Sequence, residues 1–242
     1  MNFDHPLSEP LSDDTVLWRY LDLPKLVSML NDEALHFSRP NTLNDPWEGA
    51  LSQASLDEYA TYLDFEPNPT SALRRFRSDT AMDLQSFANV SCWHMSERES
   101  AAMWFGYAGK GLAIRTTFGN VCRAITDPRL IICAPIKYID YSTEKFGITD
   151  ALTRLLHKRQ SFESEREYRF FAINEKDPSK QRHEFGPAIT KVPIDIHELI
   201  QAVYVSPRLE DWIRQGVQAI MTKWGFPDDI VKQSDLDAPP LL

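Results

Sequence analysis

The residues best suited to chemistry lie close together in the second half of the chain. Between Phe162 and Phe171, acidic and basic side chains alternate immediately before a run of aromatic residues that favour a strand. In an extended strand this alternation would place Glu163, Glu165 and Glu167 on one face. Because three like charges on one face repel each other, the pattern predicts either the solvated face of an edge strand or a site that uses the charge.

Basic residues flank these glutamates on both sides. Lys158 lies near the end of residues 144–160, which are predicted to form a helix whose dipole favours positive charge at that end. Arg169 follows within the predicted strand, where it is either a structural partner or a part of the site. We therefore expect Glu165 and Glu167, with cations before and after them, to be the carboxylates that matter most.

Composition narrows the class of protein. The chain has 242 residues, of which 43% are hydrophobic, and this is enough for one sizeable core in a single domain. The net charge of −9 disfavours a broad nucleic-acid surface or binding to an anionic membrane, so small or locally bound partners are expected. The three cysteines form no zinc pattern, and no apolar signal segment or membrane-spanning run occurs. A reduced, cytoplasmic protein with no membrane segment is expected.

Motifs of the commonest enzyme classes are missing from the sequence. The nine glycines are too scattered for a phosphate-binding loop, and neither a GxSxG nor an HExxH pattern occurs. Cys92 lies two residues before His94 and could be a nucleophile beside a base. A strand cysteine next to Trp93 is, however, more typical of a buried and inert thiol.

The hydrophobic pattern predicts short strands interspersed with helices. The predicted strands are residues 17–20, 34–38, 87–93, 112–116, 130–133, 136–141, 162–171, 188–194, 200–205 and 230–231, and the predicted helices include 23–33, 96–108, 144–160 and 209–224. Because strands and helices do not alternate regularly, we expect an α+β fold, a single domain with mixed, mostly antiparallel sheets flanked by helices. Residues 1–14 are expected to form a loosely attached polar N-terminal arm, and residues 15–242 the domain, with residues 51–83 as a helical insertion or lid.

Candidate residues also lie upstream of the glutamates. Arg19 is on the first predicted strand, and Ser38 ends the second. Residues 39–48, which include Asn44 and Asp45, are dense in turn-forming and hydrogen-bonding side chains. Such a segment, next to the end of a strand, is a favourable place for a functional site.

An aromatic helix is predicted just before residues 112–116. Met103 and Tyr107 are four residues apart, and Trp104 and Tyr107 are three apart, so these side chains are neighbours on the helix surface. A stripe of this kind is typical of a buried core, although it could also form one wall of a cleft.

Taken together, these residues resemble a bacterial family of unknown function, family 2971. The resemblance covers most of the chain, from about Leu17 to Trp224, although Trp47 stands where that family often has phenylalanine and Tyr168 where it often has tryptophan. The family itself implies no activity. The segments that carry the resemblance are Leu17-Trp18-Arg19-Tyr20, Leu35-His36-Phe37-Ser38-Arg39-Pro40, Asn44-Asp45-Pro46, Cys92-Trp93, Met103-Trp104 with Tyr107 and Gly111, and Lys158, Phe162 and Glu165-x-Glu167-Tyr168-Arg169.

The order of these segments is also similar to that of ADP-ribosyltransferase-like domains. In both, a strand with an arginine, a strand that ends in serine, a central aromatic residue and a late Glu-x-Glu strand follow one another. The resemblance implies an ADP-ribosyltransferase-like core that uses NAD as a substrate, without a metal ion. It also implies an unknown macromolecular acceptor and a role as a toxin or phage-defence effector.

The same resemblance implies a role for each residue. Arg19 would hold the NAD pyrophosphate or ribose, and Ser38 would orient the nicotinamide ribose. Either Tyr107 or Trp104 would stack on the nicotinamide. Of the two carboxylates, Glu167 would stabilise the positive charge on the ribose, and Glu165 would position or deprotonate the acceptor.

Two other functions fit the same residues. A non-catalytic module could recognise a nucleotide or a peptide through the Asn44-Asp45 loop and an aromatic cleft. A metal-dependent hydrolase or nuclease could bind a divalent cation with Asp45, Glu165 and Glu167. The transferase hypothesis makes the sharpest structural demand, because its arginine, serine, aromatic and glutamate residues must all line one cleft.

Overall fold

A nine-stranded sheet forms the centre of the fold. The computed structural model describes residues 5–43, 45–63, 87–147, 151–174, 187–238 and 240. Within these residues the sheet contains β1 (Val16–Leu21), β2 (Ala34–Ser38), β3 (Ala88–Met95), β4 (Leu112–Thr117), β5 (Ile131–Pro135), β8 (Glu167–Ile173), β9 (Ile189–Pro193), β10 (Ala202–Val205) and β11 (Val231–Gln233). A second, parallel sheet pairs β6 (Lys137–Ile139) with β7 (His157–Arg159).

The strand order of the large sheet is β11-β10-β4-β1-β3-β2-β9, and β8 joins β3 to β5. Of its ladders in the described part of the chain, β10–β11 is parallel and the others are antiparallel. The helices α1 (Leu23–Asp32), α2 (Gln53–Leu63), α3 (Ala101–Met103), α4 (Phe118–Ala124), α5 (Ala151–Leu155), α6 (Ile196–Leu199) and α7 (Asp211–Lys223) flank the strands. The predicted α+β fold is therefore confirmed.

Both faces of β8 are covered, which explains why charged residues of this strand are buried. Tyr168 and Phe170 pack into the larger hydrophobic core with Trp93. On the opposite face, Phe171 packs with Leu155 of α5 in a second core cluster. Because side chains alternate along a strand, Glu167 and Arg169 point to this second face, under α5.

The segment before β8 differs from the prediction. A single helix over residues 144–160 is wrong, because α5 ends at Leu155 and β7 follows it. Residues Gln160–Glu165 then form a 3₁₀ helix, and Arg166 has a left-handed backbone with a φ of 40°. The strand therefore begins at Glu167, so the prediction that three glutamates share one strand face is also wrong. Alternating polar residues do not distinguish a strand from a turn, because neither face is apolar.

The predicted N-terminal arm is attached to the domain over its described residues. The amide of Glu9 donates to the Cys133 carbonyl at 2.9 Å, and the Tyr168 hydroxyl donates to the Glu9 carbonyl at 2.9 Å. Leu7 and Leu11 pack against the two core clusters. The arm is therefore not loose from residue 5 onward, because apolar side chains fasten it to the sheet.

Two predicted features fall partly outside the described residues. Of the predicted insertion 51–83, α2 occupies the first part, and residues 64–83 are not described. The site candidate Asn44 is likewise outside the described residues. Among the helices that are described, none has the length and apolar character needed to cross a membrane.

Candidate active site

A split in the large sheet creates the candidate site. One edge of β3 pairs with β1 at Trp18–His94 and with β2 at Ser38–Val90, so two different strands share this edge. The opposite edge pairs continuously with β8. A cavity of about 540 Å³ opens where β1 and β2 separate. This volume lies within the usual range for sites that bind small molecules.

Most of the residues predicted to be functional line this cavity. They are Arg19, Ser38, Asp45, Tyr107, Lys158, Glu165, Glu167 and Arg169. The arginine, serine, tyrosine and glutamate on which the transferase hypothesis depends are all among them. The fold thus brings together side chains from the first, second and eighth strands and from the turn after α3.

At one end of the cavity, Arg19 spans the split in the sheet. Its Nη1 donates to the Ser91 hydroxyl at 2.6 Å, and its Nη2 donates to the His36 carbonyl at 2.8 Å. The guanidinium also lies over the Trp93 ring, at 5.6 Å from its centroid. Burial lowers the pKa of this group from its usual value. Among the residues that the structure describes, no carboxylate bonds to it, so its hydrogen-bond partners are neutral and its charge has no counter-charge there.

The aromatic wall follows from an unusual turn after α3. The predicted helix over residues 96–108 is shorter than expected: Ser100 caps α3, and the chain then continues as a π-helical turn from Trp104 to Ala108. In this turn the Gly109 amide donates to the Trp104 carbonyl five residues earlier, at 2.7 Å. A π turn changes the angular spacing of an α-helix, so neighbouring side chains point in new directions.

The π turn separates the two aromatic candidates. Tyr107 is 60% exposed and lines the cavity together with Gly106. Trp104 is fully buried, packs edge-on against Tyr20 at 5.0 Å between ring centroids, and donates from Nε1 to Glu99 at 2.6 Å. Of the two residues predicted to stack on a ligand, only Tyr107 is therefore in position to do so.

At the other end of the cavity, Arg169 binds two carboxylates. Its Nε and Nη2 donate to Glu167 at 2.6 and 3.1 Å. On a second edge, Nη1 and Nη2 donate to both oxygens of Glu48, and Nη1 also donates to the Leu155 carbonyl at 2.7 Å. These contacts engage all five N–H groups of the guanidinium. Arg169 therefore orients carboxylates and has no donor left for a ligand.

Lys158 joins the two glutamates that were predicted to act together. Its ammonium donates to Glu165, and it lies 3.2 Å from an Oε of Glu167. Burial opposes the charge on Lys158, but Glu167 and Glu165 outweigh this effect and raise its pKa. With Glu48 and Arg169, the cluster contains three carboxylates and two cations, so it carries one net negative charge.

The pKa values of Glu165 and Glu167 are shifted in opposite directions. Burial would raise the pKa of Glu167, but the adjacent Arg169 and Lys158 outweigh burial and lower it to about 2. For Glu165, burial is the larger effect and raises the pKa above its usual value, although Lys158 opposes this. A pair of carboxylates with divergent pKa values is typical of a site in which one stays ionised and the other exchanges a proton.

Cys92 also lines the cavity, beside these carboxylates. It lies opposite Arg169 in the β3–β8 ladder. Burial and the neighbouring Glu167 raise the pKa of its thiol well above the usual value. The contacts of the described residues include no hydrogen bond between His94 and this thiol, and the Nδ1 of His94 instead donates to the Glu165 carbonyl at 2.6 Å. The thiol is thus protonated, and the cysteine is a poor nucleophile.

Glu48 was missed by the sequence analysis. It lies in the predicted turn-rich segment, yet its side chain is only 3% exposed, because it binds Arg169 from 121 residues away in the chain. A glutamate in a turn rich in polar residues is ordinarily solvated, so the local sequence gives no sign of this burial.

The carboxylates proposed as metal ligands are bonded to cations instead. Asp45 accepts from Arg159 at 2.8 Å, Glu165 accepts from Lys158, and Glu167 is held by Lys158 and Arg169. In the described ranges no group of three or more potential ligands is arranged to hold a metal ion. The side-chain geometry therefore gives no support to the hydrolase or nuclease alternative.

Comparisons of the chain with protein-family models, with curated proteins and with solved structures found no match. The assignment of a function consequently depends on the geometry of the cavity.

Proposed function

We propose that this protein is an NAD-dependent ADP-ribosyltransferase-like enzyme. It would break the bond between nicotinamide and ribose and transfer ADP-ribose to an acceptor. The observation that carries this proposal is that Arg19, Ser38, Tyr107 and Glu167 line one cavity although they come from distant parts of the chain. The proposal includes membership of family 2971, which the motifs resemble.

The Arg19 end of the cavity suits a pyrophosphate. Arg19 is a partly buried cation whose partners are a hydroxyl and a carbonyl, so it retains most of its electrostatic attraction for an anion. Its two hydrogen bonds use two of its five N–H groups, and a planar guanidinium can bind phosphate oxygens through a pair of parallel bonds. An anionic ligand would therefore supply the charge that the protein does not.

The carboxylate end suits cleavage of the N-glycosidic bond. When the bond from the ribose carbon to the nicotinamide nitrogen breaks, its electron pair leaves with neutral nicotinamide, and positive charge develops on the ribose. The cluster around Glu167 is negative, and the pKa of this carboxyl, about 2, keeps it ionised at neutral pH. It can thus stabilise the developing charge through the cavity.

Transfer then requires a base for the acceptor. The acceptor nucleophile forms the new bond to the ribose carbon, and its proton passes to Glu165, whose raised pKa suits proton exchange. The exposed ring of Tyr107 can stack on the nicotinamide, and Ser38 can donate to the ribose. That the acceptor is a macromolecule, and that the protein acts as a toxin or phage-defence effector, follow from the resemblance alone. The described cysteines are free, and we place the protein in the cytoplasm.

A second candidate is a nucleotide-binding module without catalysis. It is favoured by one observation: both carboxylate oxygens of Glu167 already accept hydrogen bonds from Arg169 or Lys158. A carboxylate held in this way could have a purely structural role. The module would bind NAD at Arg19 and release it unchanged.

Nicotinamide release from NAD by the purified protein tests the proposal. Glu167→Gln is expected to reduce the rate about 100-fold to 1,000-fold, because the developing charge loses its counter-charge, while NAD binding by calorimetry persists. The control is Glu163→Gln, which removes an exposed carboxylate from the neighbouring 3₁₀ helix and should leave the rate unchanged.

The native protein separates the two candidates. Binding of NAD without any release of nicotinamide, with candidate acceptors present, would identify the binding module. If NAD neither binds nor reacts, both functions are rejected.

A further inference from the structure

The turn after β2 is held by its own hydrogen bonds and belongs to the carboxylate end of the cavity. Residues 45–50 are called here the clamped turn. Its Asp45 side chain accepts from the Trp47 amide at 3.0 Å, and its Asp45 carbonyl accepts from the Glu48 amide at 3.0 Å. Gly49 has a φ of 69°, a conformation that other residues rarely adopt. These contacts fix the direction in which Glu48 leaves the turn.

Three arginines hold the clamped turn from outside. All three come from one later segment, residues 154–169, and each bonds to a different residue of the turn. The Nε and Nη2 of Arg154 donate to the Gly49 carbonyl at 2.9 and 2.6 Å, Arg159 Nη2 donates to Asp45 at 2.8 Å, and Arg169 donates to both carboxylate oxygens of Glu48.

We propose that Glu48 is a positioning residue for the reaction, acting on Glu167 through Arg169. This inference rests on the proposed function and goes beyond it, since none of the predicted roles includes Glu48. A guanidinium is planar, so a carboxylate that binds one edge fixes the orientation of the other edge. With Glu48 on one edge of Arg169, the edge that faces Glu167 is set.

Glu48 also changes the charge that Glu167 presents to the cavity. If Arg169 had Glu167 as its only carboxylate partner, the two charges would cancel, and little negative potential would remain for a cationic transition state. Because Glu48 shares the charge of Arg169 and Glu165 shares that of Lys158, three carboxylates face two cations, and one net negative charge remains beside the cavity. The placement of Glu48 therefore serves the electrostatics of the reaction as well as its geometry.

Glu48→Gln tests this role, because it removes the charge while preserving the shape. It is expected to lower kcat for nicotinamide release about tenfold to 100-fold, as is usual when a residue that orients a reacting group is changed. The KM for NAD should stay unchanged, because Glu48 is not expected to contact NAD. The control, Glu58→Gln, removes a carboxylate from an exposed ion pair with Lys145 and should change neither quantity.

A double variant shows whether Glu48 acts through Glu167. If it does, Glu48→Gln combined with Glu167→Gln should be no slower than Glu167→Gln alone. Losses that multiply in the double variant, or a Glu48→Gln variant with native kcat, would overturn the inference and leave the proposed function standing. Should Glu48→Gln fail to fold, Glu48→Asp keeps the charge but withdraws it by one methylene. It is expected to lower kcat by a smaller factor, and native kcat in this variant would equally overturn the inference.

A second measurement does not depend on turnover, so the two proposals can fail separately. In protein labelled with ¹³C at glutamate carboxyls, the Glu167 signal is identified by its loss in Glu167→Gln. It should shift in Glu48→Gln, or in Glu48→Asp if only that variant folds, and stay in place in Glu58→Gln. An unmoved signal would overturn the positioning role even if the native protein released no nicotinamide.

Discussion

The two ends of the cavity differ in whether their arginine is paired with carboxylates. At one end, Arg19 is a single cation bonded to a hydroxyl and a carbonyl. At the other end, Arg169 has all five N–H groups engaged, four of its contacts being to Glu48 and Glu167. Arg169 is a buried cation and Arg19 a partly buried one, yet Arg19 lacks a counter-charge within the described residues and Arg169 has two.

The difference indicates what each end is for. A buried charge without a counter-charge is costly for the folded protein alone, and a ligand of opposite charge repays that cost on binding. A saturated cluster offers a ligand no free donor, but it holds its own groups in a fixed geometry, which is what a reacting group requires. The Arg19 end is therefore suited to binding, and the Glu167 end to positioning.

The largest effect is expected from removing Arg169, the cation that binds both Glu48 and Glu167 at the Glu167 end. Arg169→Gln leaves Glu48 and Glu167 buried next to each other without their shared cation, and should lower the free energy of unfolding by about 3–5 kcal/mol. Urea denaturation at neutral pH measures this. The matched control is Arg214→Gln, which removes a partly exposed pair with Asp211 and should cost less than about 1 kcal/mol. Equal losses in the two variants would contradict the contrast between the ends.

Lowering the pH should have the next largest effect on the free energy of unfolding, and it should act through the Glu167 end. The pKa of Glu167 is about 2 in the folded protein, below its usual value of 4.5, so its contribution is fully present above the usual value and is lost as the pH falls toward 2. A difference of this size corresponds to about 3 kcal/mol. Urea denaturation between pH 6 and pH 2.5 should show the stability gap between native protein and Glu167→Gln narrowing. A gap independent of pH would show that the carboxylate is not held by its cations.

Replacing Arg19 should affect NAD binding far more than the free energy of unfolding. Arg19→Gln is expected to weaken NAD binding by about 1.5–3 kcal/mol, roughly tenfold to 100-fold, because a charge-assisted contact to phosphate is lost. The free energy of unfolding should change by less than about 1 kcal/mol, since the partners of Arg19 are neutral. Calorimetry and urea denaturation measure the two quantities.

Arg115→Gln, on the adjacent strand β4, is the control for that binding experiment and should bind NAD normally. A loss of stability in Arg19→Gln comparable to that of Arg169→Gln, without a loss of affinity, would reverse the roles assigned to the two ends.

The sequence predicted the parts of the site that depend on local patterns. Alternation of apolar residues located β1 and β2, and with them Arg19 and Ser38. The predicted start of α1 at residue 23 also agrees with the structure, where the side chain of Asp22 accepts from the Lys25 amide at 2.8 Å and caps the helix. These features are specified by residues within one turn or one strand of each other.

The parts that were missed depend on distant contacts or on unusual turns. The π turn could not be read from spacing, so Trp104 was assigned to the cleft although it is buried. The 3₁₀ helix that carries Glu165 was taken for a strand, because a polar segment has no apolar face to reveal its period. Glu48 was overlooked because its partner, Arg169, is 121 residues away.

The clamped turn has a consequence for how the chain is assembled. Its contacts with Arg154, Arg159 and Arg169 close loops of 105, 114 and 121 residues, whereas Arg19 meets Ser91 and His36 across 72 and 17. Contacts that close longer loops carry a larger entropic cost and form late. In a chain emerging from the ribosome, the residues that bind Arg19 are therefore all made before those that bind the clamped turn, and an ordered Glu167 must wait until more than two thirds of the length has been made.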